Sequence, residues 1–236
     1  MTDPAAQPAR PRLTFFLDAD NTLLDNDAAK REMDRRLGDL LGQGENARFW
    51  TVYEEVRGEL GVVDIPRTMS RFLGNREAGE VRYALADLFM RFPFADFVYP
   101  DSAEVLRHLR RLGRVAVLSD GDQVFQAAKI GRSGLADAVD HYVLVFAHKE
   151  EHLPEIAAAF PADRHVFIDD KPGVLERIGA RMPTPYSTVF VRQGKYAAAV
   201  PSGPWPGATL TVEGIGDVGH LSAEDFLATG SGNMPG

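Results

Sequence analysis

Phe15-Phe16-Leu17-Asp18-Ala19-Asp20-Asn21-Thr22-Leu23 decides how the chain reads, because an apolar, aromatic run of strand character delivers two carboxylates into a turn. A buried strand that stops on Asp-x-Asp places those side chains at the carboxyl end of a sheet, where open α/β folds bind their ligands. Alternation along the extended chain puts Asp18 and Asp20 on the same side. Two anions that close are unfavourable unless a cation joins them or one of them holds a proton. Taken alone the segment also suits a strand ending in a solvated Asp-Asn turn, so the remaining strand ends carry the decision.

Further short apolar runs follow: Val115 to Leu118, Tyr142 to Phe146, Val166 to Ile168, Val189 to Val191 and Thr209 to Val212. Between most of them lie stretches with helical spacing, at Ser102 to Leu112, Gln123 to Ala138, Leu153 to Phe160 and Val174 to Ile178. Strands alternating with helices imply a parallel sheet, so the expected class is α/β, a Rossmann-like three-layer core. One region breaks the rhythm. From about Asp27 to Phe97 there is no strand pattern, only helical intervals interrupted near Gly42, Gly61 to Pro66, Gly74 and Pro93. Four or five helices are expected there, forming a small all-helical cap over the carboxylates. Tyr99-Pro100-Asp101 then returns the chain to the core, with Asp101 or Ser102 capping the next helix. The expected organisation is a disordered tail over 1–12, a discontinuous core of 13–25 and 99–225, the cap at 26–98, and a flexible end at 226–236.

At 236 residues the chain suits one large domain, or a core carrying a smaller insert. A net charge of −8 argues against a nucleic-acid partner, since phosphate-backbone binding depends on concentrated Lys and Arg. The absence of cysteine removes disulfides, thiolate chemistry and Cys-based zinc sites. Residues 1–11 carry no apolar core, so they resemble neither signal peptide nor anchor, and no later segment approaches membrane-spanning length. A cytoplasmic location is the default expectation, and nothing in the sequence sets an oligomeric state.

Three other strand ends present polar groups in order: Ser119-Asp120-Gly121, then Ala147-His148-Lys149, then Asp169-Asp170-Lys171-Pro172. If neighbouring parallel strands bring these ends together, the carboxylates form an all-oxygen site suited to Mg²⁺. The Ser119 hydroxyl and the backbone N–H groups of Asp120 and Gly121 would hold phosphate oxygens, and Lys149 would offset the charge. Each piece alone suits an ordinary loop, cap or solvated side chain. Their joint occurrence at successive strand ends points to phosphoryl transfer.

With those four motifs in place, Asp18-Ala19-Asp20-Asn21-Thr22, Ser119, Lys149 and Asp169-Asp170, the chain resembles a haloacid dehalogenase superfamily hydrolase whose helical cap is inserted after the first motif. The resemblance covers residues 13 to 225. It implies that Asp18 is the nucleophile that becomes an aspartyl-phosphate, and that Asp20 is first the general acid and then the base that activates water. It also implies Mg²⁺ held by Asp18, the backbone carbonyl of Asp20 and Asp170, with Asp169 supporting through water. Ser119 and Lys149 would stabilise the transferring group, and Thr22 would orient the first loop. The pattern departs from the family's common form twice. Glu150 follows Lys149 where Pro is frequent, and the fourth motif is an adjacent Asp pair in which Asp169 takes the place usually held by Gly.

Two other patterns compete. His148-Lys149-Glu150-Glu151-His152 matches a zinc-protease motif, but Pro154 and the preceding strand disfavour the long helix that motif needs. Gly214-Ile215-Gly216-Asp217-Val218-Gly219 matches a dinucleotide fingerprint, but too little chain follows for the required βαβ unit, so a turn is expected. His108, His141, His165 and His220 read as surface or strand-flanking residues. In the insert, Arg48, Trp50, Tyr53, Arg57, Arg67 and Arg71 are the side chains that would face the site, although such residues equally suit a packed or solvated helix face. The expected function is a Mg²⁺-dependent phosphatase acting on a small phosphorylated metabolite. The alternatives are a phosphomutase, a 2-haloacid dehalogenase, or a catalytically silent binding protein.

Overall fold

The computed structural model describes residues 12–74 and 79–228, so the expected disorder over residues 1–11 and the Gly-rich end from 229 fall outside the described residues. A six-stranded sheet forms the centre. β1 (Leu13–Leu17) lies between β2 (Arg114–Asp120) and β4 (Arg164–Asp169), with β3 (Val143–Phe146) beyond β2, and with β5 (Tyr186–Val191) and then β6 (Leu210–Val212) beyond β4. Every neighbouring pair is parallel. The chain therefore steps outward from β1 on one side, then crosses back to its other side at β4. This reversal makes the carboxyl end of β1 the topological switch point, the crevice where such sheets bind ligands.

Alternation along the strands builds two cores. Phe16, Ala116, Leu118, Phe167 and Phe190 face α8 (Leu153–Ala159) and α9 (Pro172–Arg181), meeting Ile156, Leu175 and Ile178. Phe15, Leu17, Val115, Val117, Val166 and Ile168 point the other way, toward α5 (Ser102–Leu112) and α6 (Gln123–Arg132). Because both faces are covered, the strands read as unbroken apolar runs instead of alternating ones.

Between β1 and β2 lie α1 (Asn26–Leu41), α2 (Gln43–Leu60), α3 (Ile65–Leu73) and α4 (Gly79–Met90), followed by a 3₁₀ turn at Phe94–Phe97. Asp25 caps α1 by accepting from the Ala28 N–H at 2.8 Å, and Asp64 caps α3 by accepting from the Arg67 N–H at 2.7 Å. Phe49 is fully buried at the centre of these helices, stacked on Phe89 at 5.4 Å and edge-on to Phe72 at 5.3 Å. That cluster is continuous with the Phe15 face of the sheet. The two strands of chain joining the helices to the core are laced together, Asp25 N–H to Phe97 O at 2.8 Å and Tyr99 N–H to Leu23 O at 3.0 Å.

Several details depart from the sequence reading. The stretch Gln123 to Ala138 is two helices, α6 and α7 (Leu135–Ala138), separated at Gly134. Neither residue expected to cap α5 does so with its side chain: Asp101 makes no cap bond, and Ser102 Oγ donates to Leu23 O at 2.8 Å, tying the helix to the turn after β1. His165 is buried within β4, its Nε2 at 2.9 Å from Phe160 O. After β5 come α10 (Gly194–Ala197), β6, α11 (Ile215–Val218) and α12 (Ala223–Leu227), so the dinucleotide-like segment is a four-residue helix. Phe226 does not belong to a flexible end. It is fully buried edge-on against Phe15 at 5.0 Å, and its carbonyl accepts from Ser187 Oγ at 2.7 Å.

Candidate active site

Register explains why the motif residues meet. Leu17 is level with both Val117 and Ile168, so one residue further along the sheet Asp18 stands beside Asp169, and Ser119 is the penultimate residue of the adjacent strand. The Asp18 N–H continues the ladder to Ile168 O at 2.9 Å. Beyond it the chain turns sharply: the N–H groups of Leu23 and Leu24 both reach Ala19 O at 3.0 Å, and Asn21 adopts φ 58. Gly194, at φ +66, lies so close to Asn21 that a Cβ there would sit 2.5 Å from its side-chain nitrogen. Only glycine lets α10 approach the turn.

Asp18 is 1% exposed and ion-paired through both oxygens, Oδ1 with Lys149 Nζ at 2.9 Å and Oδ2 with Lys171 Nζ at 3.1 Å. Burial works to raise its pKa, but the two ammonium groups outweigh it and hold the carboxyl well below the usual carboxylate range. Lys149 enters from the 3₁₀ turn at Lys149–Glu151 and is itself buried, bound also to Asp169 Oδ2 at 2.6 Å and Leu118 O at 3.2 Å. Burial opposes its charge, yet Asp169, Asp18 and Asp120 raise its pKa above the ordinary lysine value. Asp120 Oδ1 accepts the Lys149 N–H at 2.9 Å and so fixes this turn.

Asp169 has both oxygens engaged, Oδ1 accepting the Lys171 N–H at 2.8 Å and Oδ2 bound to Lys149. Asp170 is the opposite case. It is fully buried, and among the described residues neither carboxylate oxygen has a hydrogen-bond partner; the Lys171 ammonium stands 4.0 Å from Oδ1. Burial, reinforced by the charges of Asp169 and Asp18 against the pull of Lys171, pushes its pKa up to about 9. One oxygen from each of Asp18, Asp169 and Asp170 lies within 4.8 Å of the others. An all-oxygen donor set containing an orphaned buried carboxylate fits a hard divalent cation.

Asp20 is not part of that group. Its carboxylate pairs with Lys129 Nζ at 2.6 Å, which also donates to Asn26 Oδ1 at 3.2 Å. Lys129 is 4% exposed, and three residues before it on the same face of α6 Gln126 Nε2 donates to Ser119 Oγ at 2.8 Å. Two expectations change here. The Gly121 N–H donates to Phe146 O at 2.8 Å, because the β2–β3 ladder extends past its last register pair, so it offers no donor to a phosphate. Thr22 Oγ1 is buried with no hydrogen-bond partner among the described residues; the loop is held instead by Gln193 Nε2, which donates to the carbonyls of Asn21 and Thr22 at 3.0 and 3.2 Å.

A cavity of about 220 Å³ opens above these groups, bounded by Asp20, Asp120, Gly121, Lys129 and Lys171 below and by the α1–α2 side above. Of the six insert side chains singled out from sequence, Tyr53 and Arg57 line it. Arg48 is bound to Glu45 and Phe72 O, Trp50 to Asp34, and Arg71 to Glu59. His148 borders the cavity, while His152 stacks on Phe146 at 4.3 Å and pairs with Glu155, so the zinc-protease pattern gathers no metal group. Lys129, Gln126 and Lys171 were missed by the motif reading. Lys171 adjoins the fourth motif, and the spacing of Gln126 and Lys129 was the only sequence signal for that pair.

A family model described as haloacid dehalogenase-like hydrolase matches residues 13–191. No curated protein is matched by the chain. Among solved structures, a haloacid dehalogenase-like hydrolase from Burkholderia xenovorans LB400 is 35% identical, with 90% of this chain and 99% of that one covered and a TM-score of 0.81. YfnB, a HAD hydrolase from Bacillus subtilis bound to magnesium, is 14% identical over 89% of this chain and 98% of its own, at TM-score 0.59. L-2-haloacid dehalogenase from Xanthobacter autotrophicus is 20% identical over 89% and 98%, at TM-score 0.57. The last two share the fold.

Proposed function

Since the chain belongs to the haloacid dehalogenase-like hydrolases, we propose that it is a Mg²⁺-dependent phosphatase acting on a small phosphomonoester, with α1–α4 as the cap. The observation that carries this is Asp170, a buried carboxylate with two unpartnered oxygens beside Asp18 and Asp169. Asp18, Asp170 and the backbone carbonyl of Asp20 would hold the ion, with Asp169 in support because its own oxygens are already engaged. Bound there, Mg²⁺ supplies charge neutralisation for an anionic substrate that would otherwise repel a carboxylate nucleophile.

The chain's own residues take the following parts. Asp18 attacks phosphorus, and the bond to the leaving oxygen breaks as Asp20 protonates that oxygen. Water then attacks the aspartyl-phosphate at phosphorus, Asp20 takes its proton, and Asp18 is released with inorganic phosphate. Ser119, fixed by Gln126, and Lys149 hold the phosphoryl oxygens, while Lys129 orients Asp20. Helices α1–α4 exclude bulk water from the site.

A second reading has its own support. The ammonium groups of Lys149 and Lys171 neutralise Asp18 without any metal, which suits attack on the carbon of a 2-haloacid. That chemistry gives no role to Asp20 or to the Asp170 carboxylate. Acid-quenched mixtures of the protein and a radiolabelled phosphomonoester separate the two. Label retained on wild type in Mg²⁺ and lost in Asp18→Asn supports the phosphatase, and an unlabelled protein that releases halide from 2-chloropropionate replaces it with the dehalogenase.

A further inference from the structure

The upper rim of the cavity gathers Lys30 from α1, Arg57 from α2, and Lys195 with Tyr196 from α10. Two contacts draw these elements together: the Lys195 N–H donates to Asp27 Oδ2 at 3.0 Å, and Arg57 Nη2 donates to Tyr196 Oη at 3.4 Å. The other cations lining the cavity are already matched, Lys129 by Asp20, Lys171 by Asp18 and Arg177 by Glu150. The rim cations are not. Glu54 serves both Lys30, at 3.7 Å, and Arg57, at 3.2 Å, and among the described residues Lys195 Nζ has no carboxylate in ion-pair range. Burial lowers the Lys30 pKa, and Lys195 and Arg57 lower it further against the opposing effect of Glu54. In a chain of net charge −8, three rim cations, Lys30, Arg57 and Lys195, stand against two carboxylates among the described residues, Glu54 and an Asp27 already engaged by the Lys195 N–H, which leaves a local cationic excess suited to an anion.

We infer that the substrate carries a second anionic group, a carboxylate or a phosphate, and that Lys30, Arg57 and Lys195 form its subsite. The inference rests on the reacting group sitting at the end of the cavity lined by Asp20 and Lys171, whose ammonium pairs with Asp18. Size narrows the class. At about 220 Å³ the cavity is smaller than the roughly 300–1,000 Å³ typical of drug-sized ligands. The two anionic groups therefore stand a few bonds apart, as in a short phosphorylated acid or bisphosphate.

Binding of non-hydrolysable probes tests this without turnover. Calorimetry in Mg²⁺ compares ethylphosphonate, phosphonopropionate, propanediphosphonate and propionate on wild type, Lys195→Ala and Lys195→Glu. The second anion is expected to tighten binding about 10-fold over ethylphosphonate, with that ratio falling toward one in Lys195→Ala and below it in Lys195→Glu. Whichever of phosphonopropionate and propanediphosphonate binds tighter identifies the second group. Equal affinity of ethylphosphonate and both doubly charged probes in wild type, or a ratio that survives Lys195→Glu, overturns the subsite and leaves the phosphatase intact. Failure of every phosphonate to bind, with propionate binding that Lys195→Glu weakens, overturns the phosphoryl chemistry and keeps the subsite for a carboxylate. No binding by any probe overturns both.

Discussion

Asp170 is a fully buried carboxyl group without a hydrogen-bond partner among the described residues, and a lone ionised carboxylate in that setting is unfavourable. Its pKa, raised to about 9 from the ordinary 3.8, means that between those pH values the folded protein holds a proton that the unfolded chain releases. Stability present below pH 3.8 is therefore lost as pH rises toward 9 in metal-free protein. Asp170→Asn removes that loss. In EDTA the variant is expected to melt above wild type, by a margin that widens with pH at about 1 kcal/mol per unit, and to lose the rise in Tm that Mg²⁺ gives wild type. A margin that stays flat with pH would contradict the assignment. At this scale the sequence was informative where chemistry is local. Asp18, Ser119 and the aspartate pair sit at strand ends and Lys149 in the turn just past one, and the structure brings them together. Lys129 reaches Asp20 across 109 residues of chain, and no local pattern announces such a contact. The Gly121 N–H failed as a phosphate donor because ladder register, which a single strand does not reveal, had already used it.

Secondary-structure elements were legible to the degree that their apolar patterns were unambiguous. Buried parallel strands announce themselves as short Val, Ile and Phe runs, and all six lie where those runs fall. Boundaries were harder, as in the stretch read as one helix that Gly134, at φ 79, divides into α6 and α7. The end of the core was set two residues too early, before Phe226 and Leu227, because the partner of Phe226, Phe15, is at the other end of the chain. In the insert, Phe49 bridges α2, α3 and α4 through its contacts with Phe72 and Phe89. Phe49→Ala is expected to lower unfolding free energy by about 3–5 kcal/mol, measured by denaturant titration. A loss below about 1 kcal/mol, within the range of a surface substitution, would show that these helices do not pack through that ring.

For the whole molecule, a strand order that reverses at β1 and a helical insert tied to the chain just beyond it together place one small cavity over one cluster of aspartates. In this acidic protein of net charge −8, four of the five lysines, Lys30, Lys129, Lys171 and Lys195, line that cavity. No helix among the described residues is long and apolar enough to cross a membrane. The choice between attack on phosphorus and attack on carbon rests on whether the Asp18, Asp169 and Asp170 group works with a metal cation or with Lys149 and Lys171 alone. It is most directly decided by assaying one preparation for phosphate release from short phosphorylated acids and bisphosphates and for chloride release from 2-chloropropionate, in Mg²⁺ and in EDTA. Phosphate release that requires Mg²⁺, with no chloride in either condition, is the expected result. Chloride release that EDTA leaves untouched, with no phosphate from any compound, would contradict it.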